Sequence, residues 1–274
     1  MGELSETAVI AVGATADAYV DFPGFSVPAG MKRIKKVEFQ LGPDFAVDTS
    51  IRIGTVARIR GSGIGEQDPH EFLGPFGGQG DVTQGSLVLQ GLSQEYDVDI
   101  PVQPGGPFTV SIMNLTEIVP AGTYTCKVTY DEKAPTAKCA MSNYASAAQA
   151  AAADVWAALG TVVVPQPKAG AAPTRIKKLG LGIAIDQGTG AILLRLNTRF
   201  RLTGAGLVQS GGHEYLGPSG ASMSDTDGCY PYDRMLKLVD VDIPVNPGGT
   251  ITIEQRLDGE LQTAATLAVG LLYE

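Results

Sequence analysis

Four short stretches of this chain occur twice, in the same order and at nearly one spacing. Arg33-Ile34-Lys35-Lys36 returns as Arg175-Ile176-Lys177-Lys178, 142 residues on. His70-Glu71-Phe72-Leu73-Gly74-Pro75 returns 143 residues on as His213-Glu214-Tyr215-Leu216-Gly217-Pro218. The run Val98-Asp99-Ile100-Pro101-Val102-Gln103-Pro104-Gly105-Gly106 returns at the same offset as Val241-Asp242-Ile243-Pro244-Val245-Asn246-Pro247-Gly248-Gly249. Val128-Thr129-Tyr130 matches Leu271-Leu272-Tyr273. A period of this length exceeds any solenoid or propeller unit and is the size of a whole domain. The chain is therefore a tandem duplication. We expect an N-terminal domain over 1–133, a crossover over 134–152 and a C-terminal domain over 153–274.

Inside each half the apolar residues recur with period two, which places them on one face of a strand. Tyr124, Cys126, Val128 and Tyr130 alternate with Thr123, Thr125, Lys127 and Thr129. Phe108, Val110 and Ile112, and Val37, Phe39 and Leu41, follow the same rule. Strands are predicted around 15–22, 33–41, 50–60, 70–74, 86–91, 95–102, 107–113 and 122–130, about eight per half. The 35 Gly and 17 Pro supply the turns between them, Pro104-Gly105-Gly106 among them. The predicted fold is all-β, with two tandem eight-stranded antiparallel jelly-roll sandwiches. Ala145–Leu159 would be helical on propensity alone. Its repeat partner Ala8–Asp21 alternates, so Asp154–Val164 is read as the first strand of the second half, matching Asp17–Val27. The alanines before it are read as crossover.

The net charge of −9 opposes direct binding to nucleic acid, which needs Lys and Arg against phosphates. Three Cys form no disulfide framework, and Cys126 reads as core. The start MGELSETAVIAV carries acids where a secretory signal carries bases, and no apolar run suits a membrane span. The expectation is a soluble, intracellularly made protein.

The chain's two histidines, His70 and His213, each precede a glutamate, Glu71 and Glu214. Such pairs suggest a metal site or an acid–base couple. Neighbours on a strand point to opposite faces, however, and a metal needs three or four convergent ligands. The preferred reading is structural, with each pair pinning a strand edge at a tight turn, Gly74-Pro75 in one half and Gly217-Pro218 in the other. Asp97 and Asp99, like Asp240 and Asp242, share a strand face and would offer oxygens to Ca²⁺. Without a full loop they read instead as a solvated face, followed by Pro101 and Pro244. Asp225-Thr226-Asp227-Gly228 reads as a turn, and Gly61-Ser62-Gly63-Ile64-Gly65 as a flexible loop with no helix behind it for phosphate. The Arg-Ile-Lys-Lys segments would meet an anionic surface or, preferentially, pair with nearby acids. Asn114-Leu115-Thr116 matches a glycosylation pattern but lacks a secretory context. No catalytic signature is present, and neither cofactor nor metal is expected.

Two tandem jelly-roll-sized units over Ala8–Tyr130 and Ala150–Tyr273 resemble the double jelly-roll major capsid proteins of icosahedral, often membrane-containing viruses. The resemblance is architectural. It implies a non-enzymatic virion protein, made in the host cytoplasm, whose homotrimers present six similar blocks as a pseudo-hexamer and tile a shell. Its implied partners are itself, minor capsid or vertex proteins and an internal membrane, with no direct nucleic-acid contact. Met1–Thr7 is a candidate inward-facing or neighbour-clasping arm. Two rival readings are a carbohydrate-binding tandem sandwich, poorly served by 7% aromatics and one Trp, Trp156, and a glycan-cleaving hydrolase on a double jelly roll. The hydrolase would use Glu95, Asp97, Asp240 and Asp242.

Overall fold

The computed structural model describes residues 2–12, 17–43, 51–65, 69–79, 92–115, 122–136, 141–148, 152–166, 172–185, 194–209, 211–222, 236–258 and 265–274. Their regular structure is entirely β. The first half contains β1 (Glu3–Val12), β2 (Tyr19–Asp21), β3 (Phe25–Ser26), β4 (Arg33–Pro43), β5 (Ile51–Arg60), β6 (His70–Gln79), β7 (Ser93–Pro101), β8 (Pro107–Asn114) and β9 (Gly122–Asp131). The second contains β10 (Met141–Ala148), β11 (Ala157–Val163), β12 (Arg175–Ile185), β13 (Leu194–Thr203), β14 (His213–Ser222), β15 (Leu236–Pro244), β16 (Thr250–Asp258) and β17 (Ala265–Tyr273).

The sheets run β1-β9-β4-β7 and β2-β8-β5-β6 in the first half, with β3 also on β8, and β10-β17-β12-β15 and β11-β16-β13-β14 in the second. Leaving the two-residue β3 aside, each half pairs its first, eighth, third and sixth strands in one sheet. Its second, seventh, fourth and fifth form the other. That order is a jelly roll, and it occurs twice.

The register of the strands follows the sequence repeat residue by residue. Ala8 pairs with Cys126 and Ala145 with Val269, so β1 and β10 are counterparts. Asp17 and Asp154 both take positive φ, 55° and 59°, which Asp tolerates, and their N–H groups donate to the carbonyls of Asn114 and Leu257. Gly105 and Gly248, at φ 74° and 76°, turn the chain between matching strands and donate to the carbonyls of Val27 and Val164.

Three expectations need correction. Glu3–Thr7 is no free arm, because β1 pairs along its whole length with β9. The segments beginning at Asp17 and Asp154 lead into the second strands of their halves, β2 and β11, not the first. The alanine-rich segment read as crossover contains β10, a complete strand on β17. Its alanines alternate with Ser142, Tyr144 and Ser146, and strand pairing overrides their helical propensity. The strand expected at 86–91 lies outside the described residues, as do Cys139, Cys229 and Asp225–Gly228.

Each half has its own core. Phe39, Phe72, Phe108, Tyr124 and Tyr130 fill the first, with Cys126 buried among them. Leu179, Leu181, Phe200, Ile251 and Leu271 fill the second. Val56, Leu73, Phe76, Met113 and Leu115 belong to the first half in sequence yet are buried in the second cluster. They stand on the outer face of β5, β6 and β8 and pack on the outer face of β12 and β17. The halves thus join face to back, sheet β2-β8-β5-β6 on sheet β10-β17-β12-β15.

Glycine makes that joint close. A Cβ on Gly182 would lie 2.7 Å from the Phe76 ring, and one on Gly270 would lie 3.1 Å from Leu73. A Cβ on Gly54 would come 2.4 Å from the Ala184 methyl. Phe76→Ala should therefore destabilise the chain by about 3–5 kcal/mol, and Gly182→Val by about 1–3 kcal/mol through overpacking. The double variant should lose less than the two losses together, since the introduced valine side chain enters the space that Phe76 leaves. Urea unfolding of the four proteins measures this coupling.

Candidate functional site

The repeated motifs turn out to be breaks in strand periodicity. In β5–β6, Gly54 pairs with Phe76 and Val56 with Leu73, so Thr55 alone opposes both Gly74 and Pro75. This is a β-bulge, not a tight turn, and it suits a residue without an N–H. Thr55 Oγ1 donates to the Pro75 carbonyl at 3.0 Å, and a Cβ on Gly74 would strike that hydroxyl at 2.2 Å. The second half repeats the device. Thr198 Oγ1 donates to the Pro218 carbonyl at 2.6 Å, opposite Gly217, with the register shifting between Asn197 and Arg199.

The bulge decides which side chains look outward. Phe72 points into the first core and Leu73 away from it. Strict alternation would return Phe76 to the inside. The extra residue puts it beside Leu73 on the outer face instead, where both enter the joint.

His70 and Glu71 face opposite sides, so the structure does not bring them together as a couple. His70 is buried and stacks parallel to Phe72 at 6.5 Å. Glu71 sits at the joint, near Tyr19, Tyr144 and Arg58, whose guanidinium lies 3.8 Å over the Tyr19 ring. Burial pushes the Glu71 carboxyl above the usual carboxylate range, and Arg58 opposes that shift. In the second half Arg201 lies 4.4 Å over Trp156, the counterpart of Tyr19, and Glu214 is exposed nearby. Sequence reading missed this cation–aromatic pair because its members stand far apart in the chain.

Arg-Ile-Lys-Lys is a second bulge. Ile34 and Val37 both point inward although they are an odd number of positions apart, and the register shifts between Ile34 and Lys36. Its Arg33 binds Asp99 at 2.7 Å and Asp131 at 2.6 Å, with Pro101 opposite on β7. Arg175 pairs with Asp242, which also takes Lys177 at 2.8 Å, and Pro244 lies opposite Arg175. The basic segments therefore latch their own strand ends to acids. Glu95 takes Lys36 at 2.6 Å, and Lys178 lies 3.5 Å from Asp240. The four acids nominated for hydrolysis are thus split between the sheets of two halves, each set facing cations of its own. Among the described residues, no group of three or more His, Cys, Asp or Glu is placed to hold a metal ion. Gly61–Gly65 packs tightly, Gly63 lying against the Gly106 backbone. Asn114 is buried and accepts from the Tyr124 hydroxyl at 2.8 Å, so the glycosylation motif is part of the core.

Among the described residues, two sheet faces remain uncovered. One is the outer face of β1-β9-β4-β7, carrying Lys36, Glu38, Gln40, Glu95, Asp97 and Lys127, with Lys127 on Glu38 at 3.1 Å. The other is the outer face of β11-β16-β13-β14, where Arg201 binds Glu254 at 2.7 Å and Arg199 and Arg256 share Asp258. Leu216 stands there 62% exposed beside a cleft lined by Asn197, Arg199, Ser219, Lys237 and Asp258.

No protein-family model matches the chain, and no curated protein matches it in sequence. Solved structures similar to it include the STIV MCP, at 11% identity and TM-score 0.48, covering 100% of this chain and 97% of that one. The major capsid protein P2 from Bacteriophage PM2 is similar at 8% identity and TM-score 0.38, over 98% and 97%. Peptide N-glycanase F (PNGase F) is similar at 10% identity and TM-score 0.35, over 98% and 96%. The jelly-roll assignment rests on the strand order and not on these likenesses.

The latch makes stability depend on acid. Hydrogen bonds from Arg33 and from the Lys133 N–H hold the Asp131 carboxyl below its ordinary range, and Lys177 and Arg175 do the same for Asp242. A carboxyl whose folded value is depressed stabilises the fold above its unfolded value, near 3.9, and loses that contribution as pH falls through the folded value. Thermal unfolding midpoints should therefore hold steady at neutral pH and fall below about pH 4. Arg33→Ala should lower the neutral midpoint and flatten the acid decline.

Proposed function

We propose that this chain is a structural, non-catalytic subunit of a virion shell, a major capsid protein that acts by assembling with copies of itself. One observation carries the reading: two jelly rolls of identical strand order stand face to back in one chain, leaving, among the described residues, one uncovered face of each kind. A contact between unlike faces propagates from copy to copy and closes into a ring when the rotation allows. Three copies of a two-block chain would give a ring of six near-equivalent blocks, which suits a hexagonal lattice. The charge pattern fits the same role, because the uncovered faces are ion-paired and polar and keep a free subunit soluble before assembly. In this reading the protein is made in the host cytoplasm and resides in the capsid. Minor capsid or vertex proteins and an internal membrane would be further neighbours, and the genome would not be bound directly by this acidic chain.

Light scattering coupled to size-exclusion chromatography should give a particle three times the mass of the chain at high concentration. Negative-stain images should show hexagonal outlines about one jelly roll thick at each vertex. A chain that remains single across protein concentration, salt and pH would overturn the reading.

A further inference from the structure

We propose that the cleft beside the bulge of β14 is a binding site for an acidic sugar, a single pyranose residue that carries one carboxylate. The proposal goes beyond the shell-subunit reading and does not depend on it.

The bulge makes the cleft. Leu216 and Ser219 are an odd number of positions apart, yet both are exposed beside it, with the backbone of Gly217 between them. Strand β13 contributes Asn197 and Arg199, and β16 ends there in Asp258. From the other sheet, β15 sends Lys237 to the Leu216 carbonyl. The cleft has a volume of about 250 Å³. Sites for drug-sized molecules run to about 300–1,000 Å³, so this one suits a single sugar residue.

The matching place in the first half is filled. Gly54, Val56, Phe76, Gln94 and Leu115 stand there where the second half has Asn197, Arg199, Ser219, Lys237 and Asp258. Phe76 and Leu115 are buried in the joint cluster. The loss of one large side chain would leave an apolar hollow. Instead, all five positions in the second half carry side chains that donate or accept hydrogen bonds.

The charges select an anion. Arg199 and Lys237 stand against one carboxylate, and that carboxylate is already shared. Asp258 accepts from Nε of Arg199 and, at 2.8 Å, from Nε of Arg256. Arg199 is thus held by Nε, and its two terminal nitrogens have no partner among the described residues. A guanidinium fixed in this way presents a flat pair of donors that matches the two oxygens of a carboxylate. Lys237 gives one proton to the Leu216 carbonyl at 2.9 Å, which leaves two for the same anion.

The rest of the lining selects a hydroxylated ring. The side chains of Asn197 and Ser219 both donate and accept, and neither has a partner among the described residues. Asp258 can accept from a ligand hydroxyl, and its charge works against a dianion such as phosphate. Leu216, 62% exposed, offers its methyl groups to the C–H face of a ring. A sugar acid brings all three features together: one carboxylate, several hydroxyls and an apolar C–H face.

Saturation-transfer NMR titrations of the full chain test the site. Methyl glucuronide is the probe, with methyl glucoside, the same ring without the carboxylate, and inorganic phosphate as competitors. The glucuronide should bind at least about tenfold more tightly than either competitor, as a charge-assisted hydrogen-bonded pair predicts. Arg199→Gln and Lys237→Gln should each weaken it by about tenfold or more, whereas Lys127→Gln on the opposite sheet should not change it. Ser219→Phe supplies the side chain found in the first half and should abolish binding by filling the cleft. Circular dichroism melts establish that each variant folds. Absence of saturation transfer to the glucuronide, glucoside or phosphate binding as tightly as the glucuronide, or full affinity in Ser219→Phe would each overturn the site. None of these results bears on the shell-subunit reading, which is decided by the mass of the assembled particle.

Discussion

Leu73 and Phe76 reach the second half only because a bulge holds them on one side of β6, and they fit there only because β12 and β17 carry glycines beneath them. The rest of the arrangement depends on that fit. A jelly roll on its own buries one face of each sheet and leaves the other two to solvent. Here one such face is apolar and its receiving face is stripped of side chains, so the two sandwiches share a continuous buried cluster. The Thr55 hydroxyl on the Pro75 carbonyl closes the bulge and satisfies a backbone group that the ladder cannot reach. Removing the bulge would shift the phase of β6 by one residue and send Phe76 into a core already occupied by Phe72 and Tyr96, whose rings lie 5.3 Å apart.

The same bulge, kept in β14, carries no side chain into a joint among the described residues. It places Leu216 and Ser219 on an open face, where the single-chain fold gains nothing from the alignment. Inner and outer faces differ in how closely the two halves match. Positions that look into each core remain apolar, as with Phe39 and Leu181 or Tyr130 and Tyr273. Positions that look outward have changed character in matched sets, because the outer faces of the two halves have different neighbours.

Much of this was legible in the sequence. The repeat, the period-two strands and the Pro-Gly-Gly turns follow from spacing alone, and they lead directly to the twin jelly roll. The first strands of both halves were harder to see. Glu3–Val12 starts with polar residues, and Ala145 to Ala148 looks helical, since an edge strand receives its identity from the partner it pairs with. The repeated motifs were visible but their meaning was not. Ile34-Lys35-Lys36-Val37 and Leu73-Gly74-Pro75-Phe76 each break strict alternation, and that break is itself the signature of a bulge. Reading His70 and Glu71 as a pair drew attention to the ends of the motif when its work is done by Gly74 and Pro75. The joint was beyond reach, because no local rule tells Gly180 and Gly182 from ordinary strand glycines until Leu73 and Phe76 are seen above them.

The latch differs between the halves in a way that fits this division of roles. Arg33 is held by two acids from two strands, Asp99 and Asp131, and Asp131 is itself buried. In the second half Asp242 gathers Arg175 and Lys177, and Glu274 takes the place of Asp131, accepting Lys177 at 3.5 Å. Both versions clamp the end of the third strand against its two sheet neighbours, which keeps the sheet edge square at the same end of each sandwich. Exposed ion pairs contribute little to stability singly. Their value here is positional, since a sheet face presents an even surface only if its strands keep their register to the end.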